Sequence, residues 1–109
     1  MQLLTKTLRQ QLPPLYATEA LGDDALVVVK FFTPWTNWTW YATEYDPSDR
    51  LFFGLVEGFD VELGHFSLDE LEALRGPGGL RIERDLYWRP QSLKAVRTRI
   101  ETAACPECR

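Results

Sequence analysis

The spacing of hydrophobic positions switches between helical and extended several times along the chain, and each switch marks an element. Leu3, Leu4, Leu8 and Leu12 fall near helical spacing, and Pro13 and Pro14 stop the helix they form, because proline lacks an N–H and its ring blocks the preceding turn. A second, short helical piece is expected over residues 15–21, before the Gly22-Asp23-Asp24 turn. The run ALVVVKFFT, residues 25–33, is rich in β-branched and aromatic side chains and too short for most helices, so it reads as the first strand. Pro34 and Asn37 lie in the connection, the second strand covers residues 38–45, and DPSD turns the chain. RLFFGLVEG and VELGHFS supply the third and fourth strands, with Gly58 in the tight connection.

Ser67 then opens a helix with the chemistry of a capping box. Its hydroxyl caps the first turn, Glu70 stands three residues on, Leu68, Leu71 and Leu74 form an apolar stripe, and Gly76 ends it. A fifth extended segment is expected over residues 80–88. Ser92 begins a last helix with Leu93, Val96 and Ile100 inward and Lys94, Arg97 and Arg99 in water. The pattern defines an α+β fold: one domain, residues 1–103, with a mostly antiparallel four- to five-stranded sheet and helices packed on one face. Residues 104–109 are expected to form a flexible tail.

Within that sheet the aromatic residues raise a question of face. Trp35, Trp38 and Trp40 lie within six residues. Alternation along the second strand puts Trp38, Trp40, Ala42 and Glu44 on one side, and Thr39, Tyr41, Thr43 and Tyr45 on the other. The Trp38 and Trp40 side is the better dry face, since aromatic rings supply much core area. Trp35, in a loop after Pro34, is the ring that strand packing explains least.

Composition narrows the class. A chain of 109 residues, 45% hydrophobic and 26% charged, is long enough for one core without a metal or disulfide framework. The N-terminal stretch carries scattered polar residues, no uninterrupted apolar run and no small-residue cleavage pattern, so neither a leader nor a membrane span is expected and the location is read as cytoplasmic. Two cysteines, Cys105 and Cys108, close to the end of the chain cannot staple the fold. The net charge of −4 disfavours general nucleic-acid binding, but it is unevenly placed. Residues 43–72 hold nine acids against Arg50 alone, whereas residues 73–109 hold eight bases against four acids. Such a dipole either orients a macromolecular partner or draws the two segments together within the fold.

The stretches FTPWTNWTWYATEYDP, ELGHFSLDEL and GLRIERDLYW, followed by Pro90, resemble an uncharacterised family of small bacterial domains of unknown function, often found on plasmids and other mobile elements. The likeness covers about the central two-thirds of the chain. It implies a bacterial or phage-related setting and supplies no catalytic residue.

Several groups of residues carry candidate chemistry. Glu83 and Asp85 lie on one side of an extended segment with Arg84 opposite, an arrangement that binds a cation or moves a proton, or in which Arg84 pairs with the acidic middle and fixes sheet register. Glu44, Asp46, Glu62 and Asp85 can converge around Mg²⁺ if their strands are neighbours. His65, the single histidine, is a candidate acid or base but has no nucleophile signature beside it. CPEC has half the thiols of a tetrahedral zinc site. The sequence GPGG lacks the Lys-Ser/Thr end of a phosphate loop, and no cofactor is expected. Lys94, Arg97 and Arg99, extended by Arg89, form a basic patch for nucleic acid.

The expected function is a non-enzymatic accessory or protein-interaction module of a mobile element or phage. Its candidate surface comprises Trp35, Asp60, Glu62, His65, Glu83, Arg84 and Asp85, and its partner is a protein, not a membrane. The alternatives are a small metal-assisted hydrolase or nuclease built on the acids, and DNA binding, not favoured, through the last helix.

Overall fold

The computed structural model describes residues 2–104. It contains a five-stranded antiparallel sheet in the order β5-β4-β3-β2-β6, with β2 Val29–Phe32, β3 Thr39–Asp46, β4 Leu51–Glu57, β5 Val61–Ser67 and β6 Glu83–Arg84. A separate two-stranded ribbon pairs β1, Leu26–Val27, with β7, Gln91–Ser92. Three helices complete the α+β fold: α1 Lys6–Gln11, α2 Leu68–Ala73 and α3 Leu93–Ala104. The cysteines and most of the tail lie outside the described residues.

The expected first strand is broken at Val28 into β1 and β2. The break lets Val28 and Val29 both join one apolar cluster while Val27 joins another, which regular alternation forbids. The expected helix over residues 15–21 forms later, as a 3-10 helix at Glu19–Asp24, and the expected fifth strand shortens to β6. Local capping follows the sequence. The Ser67 hydroxyl accepts from the Glu70 N–H at 3.3 Å, and the Ser92 hydroxyl accepts from the Ala95 N–H at 3.1 Å. Helix α2 stops at Ala73, so Leu74 is exposed and does not extend the stripe of Leu68 and Leu71.

Both sides of β3 are covered. On one side Phe31, Trp40, Tyr45, Phe52 and Phe66 pack with Leu3, Leu4 and Leu12 around α1 and with Leu68 and Leu71 of α2. On the other, Val27, Tyr41 and Leu55 pack with Leu93 and Val96 of α3. Packing on a single face thus describes α1 and α2, and α3 takes the opposite face.

A bulge at Thr43 sets what lies on each side. Ala42 pairs with Gly54, but Glu44 pairs with Phe53, so one extra residue is inserted between them. The Thr43 hydroxyl donates to the Phe53 carbonyl at 3.1 Å. Beyond the bulge the alternation inverts. Tyr45 turns to the side of Trp40, and Glu44 turns to the side of Tyr41, reversing the assignment that plain alternation makes. Gly54 permits this geometry, because a Cβ there would lie 1.8 Å from the Tyr41 carbonyl oxygen.

Candidate functional site

The inverted segment places Glu44 under the turn that precedes the 3-10 helix. Glu44 is 3% exposed, and its carboxylate accepts from the Tyr16 N–H at 2.8 Å, the Thr18 N–H at 2.9 Å and the Thr18 hydroxyl. Tyr16 adopts φ 70°, a left-handed backbone that costs a bulky residue energy, and the two amides aimed at Glu44 hold it there. No ion pair to Glu44 forms among the described residues. Neutral donors satisfy a buried carboxylate only in part, because its charge remains uncompensated.

Glu44 lines a cavity of about 290 Å³ between the 3-10 helix, the sheet and the start of α3. Ala25, Phe53, Leu63 and Leu93 make its apolar walls, and Thr18, Glu19, Asp23 and Glu44 its polar part. Leu63 belongs to β5, whose outer edge is unpaired among the described residues. This edge runs seven residues, whereas the opposite edge strand, β6, has two. Val61 and Leu63 are 40% and 44% exposed, and Phe59, in the turn before β5, is 94% exposed. Phe59 stands edge-on to Trp38 with centroids 5.4 Å apart. Asp60 and Glu62 are exposed and form no ion pair among the described residues.

The expected surface residues therefore separate. Asp60, Glu62 and His65 share the β5 edge region, where the His65 ring meets Phe53 at 5.1 Å and Tyr16 at 6.4 Å. Trp35 is packed over Gly76, where a Cβ would lie 2.3 Å from the indole, and against the main cluster, which accounts for its ring. Glu83 pairs with Phe32 across β6 and β2. Arg84 donates to the backbone carbonyls of Gln2 and Leu3, so it ties the N-terminal segment to the sheet and does not pair with the acidic middle in those bonds. Asp85 faces Lys30 at 3.9 Å and accepts from the Tyr87 N–H at 2.9 Å. No group of three or more His, Cys, Asp or Glu side chains among the described residues is arranged to hold a metal.

The basic patch is partly spent within the fold. Arg97 faces Asp23 at 3.4 Å, and Arg99 bonds Gln91 and lies 5.8 Å from the Trp88 ring, leaving Arg89 and Lys94 exposed. None of the ion pairs among the described residues joins the acidic middle to the basic last third. These four ion pairs do not carry the attraction expected between the two segments.

A second constellation lies on the α3 side. Lys30 Nζ sits 5.8 Å from the Tyr41 ring and 5.6 Å from the Trp88 ring, and the Tyr41 hydroxyl donates to Glu57 at 3.4 Å. Burial, reinforced by Glu57, pushes the Tyr41 phenol up to about 12. Lys30 is paired with Asp85, and Arg99 lies over the Trp88 ring. The chain signalled neither this cluster nor the cavity. Tyr16, Thr18, Glu19 and Asp23 form no motif, and their convergence depends on the bulge and a left-handed tyrosine.

The fold and the edge define a small α+β domain with an open acidic strand and no helix, among the described residues, long and apolar enough to cross a membrane. Residues 3–104 match the family described as protein of unknown function (DUF2958), and the chain belongs to that family. Comparisons with curated proteins and with solved structures give no match.

Proposed function

We propose that the domain is a non-enzymatic interaction module that captures an extended, basic segment of a partner protein along β5. The carrying observation is the seven-residue unpaired edge, flanked by the uncompensated carboxylates of Asp60 and Glu62 and by exposed Val61 and Leu63. An added strand gains main-chain hydrogen bonds from such an edge, and alternate side chains supply specificity. Charge selects the partner. A second copy brings the same acidic stretch and no complementary cation, whereas a lysine- or arginine-bearing strand meets opposite charge. The mobile-element setting that the resemblance implies, and a cytoplasmic location, belong to this proposal.

The test uses a fluorescent nine-residue peptide, Lys-Lys-Val-Val-Lys-Lys-Val-Val-Lys, whose lysines fall on both faces of an added strand, as Glu62 and Leu63 do on β5. Wild-type protein is expected to bind it, more weakly as salt rises, and the Asp60→Lys, Glu62→Lys double variant to bind at least about tenfold more weakly with an unchanged melting temperature. Absence of binding, or equal binding by the variant, overturns the proposal. So does hydrolysis of DNA or a phosphate ester with Mg²⁺, Mn²⁺ or Zn²⁺ that vanishes in Glu83→Ala.

A further inference from the structure

The cavity beside β5 carries a more specific inference, which rests on the strand-capture reading. A strand added outside β5 lies about 4.8 Å away. Its side chains on the Glu44 face then stand next to Leu63, which is both an edge residue and a cavity wall. We infer that one side chain of the partner segment enters this cavity and that it is a lysine or an arginine.

Three features select that chemistry. The walls Ala25, Phe53, Leu63 and Leu93 suit an aliphatic stem, since long cationic side chains bury their methylenes on apolar surface. Glu19, Asp23 and Glu44 are among the lining residues, with no lysine or arginine beside them. Most telling is Glu44, a buried carboxylate whose partners are two amides and a hydroxyl, all neutral. With three donors bound, a carboxylate retains room for a further one, and a cationic donor supplies both that hydrogen bond and the missing charge. Arg97 compensates Asp23 from outside the lining, at 3.4 Å and in a half-buried setting, which leaves Glu19 and Glu44 without a cation among the described residues. An acidic or purely apolar anchor gains nothing from this lining. An incoming acid meets three carboxylates, and an apolar side chain covers Glu44 without answering its charge.

The experiment is a lysine-to-norleucine scan of the same nine-residue peptide, read by fluorescence anisotropy against the full chain. One position is expected to dominate, losing at least about tenfold in affinity with norleucine, regaining it with arginine and failing to regain it with citrulline. That preference is expected to fall below about twofold in the Glu19→Gln, Glu44→Gln double variant, which removes the two charges left without a cation and keeps an acceptor for the Tyr16 and Thr18 amides, and to fall in part in Glu19→Gln alone, at an exposed position, while binding to the β5 edge persists at the level of the norleucine peptide. A flat scan in wild-type protein overturns the anchor and leaves strand capture standing, since Asp60→Lys, Glu62→Lys is then still expected to bind at least about tenfold more weakly. A dominant position that survives unchanged in the double variant also overturns it. Failure of every peptide to bind overturns both readings.

Discussion

The two sides of β3 are built from the same strand by opposite means. On the Trp40 side, rings meet rings: Phe31 and Phe52 at 5.3 Å, Tyr45 and Phe52 at 4.7 Å, Phe52 and Phe66 at 5.2 Å. On the Tyr41 side the apolar cluster is smaller, and polar groups and open volume surround it: the Glu44 cavity at one end and the Lys30, Tyr41 and Glu57 groove at the other. Area removed from water stabilises the first side, and directed hydrogen bonds and charge pairs organise the second. Under the proposed strand capture, stability and recognition divide between faces, and a mutation's effect depends on which face its side chain meets.

The largest expected effect tests the aromatic side. Trp40→Ala removes an indole packed among Phe31, Ala42 and Trp38 and is expected to cost about 3–5 kcal/mol in denaturant unfolding. A midpoint unchanged from wild type would show that this face does not carry the stability assigned to it. Trp35, half-buried over Gly76, is expected to contribute less.

On the other side, Glu44→Ala strands the Tyr16 and Thr18 amides and is expected to cost about 2 kcal/mol, in the range for hydrogen bonds to a charged group. Hydrogen exchange of those two amides is expected to accelerate more than exchange in β4. Uniform acceleration throughout the sheet would mean that Glu44 serves the core as a whole, and the division between faces would fail.

That division was only partly legible in the chain. Ser67, Ser92 and the stripe of Leu93, Val96 and Ile100 announced themselves because capping and helical period are local, and the antiparallel order of β2 to β5 followed from short turns. Glu44 was assigned to the wrong side because alternation assumes an unbroken ladder, and a single inserted residue at Thr43 flips everything after it. Gly54 marked the place without stating the consequence: it faces Ala42, where the bulge begins. The cavity was harder still. Its residues come from a turn, the 3-10 helix, three strands and the start of α3, and the left-handed Tyr16 in its lining has no sequence preference to reveal it. Asp60 and Glu62 were readable as charge, and their isolation from the basic last third became visible only in the ion pairs.

The smallest expected effect sharpens the polar end of the comparison through pH. The Tyr41 phenol is raised to about 12 by burial first and by Glu57 second, against 10.0 for the free side chain. Below pH 10 the phenol is protonated in folded and unfolded chains alike, and its titration does not alter stability. Between about 10 and 12 the unfolded chain loses the proton while the folded chain keeps it, so the folded state binds more protons and stability falls as pH rises. Allowing for the solvent that reaches the phenol oxygen, the loss is about 1–2 kcal/mol across that window. Tyr41→Phe is expected to remove this part of the alkaline slope and to leave stability near pH 8 within about 1 kcal/mol, since one long hydrogen bond to Glu57 is lost. The measurement is urea unfolding of both proteins at closely spaced pH values from 8 to about 12. Parallel curves would show that the Tyr41 proton is not held by the fold, and would remove the groove around Lys30 from the polar organisation assigned to this face.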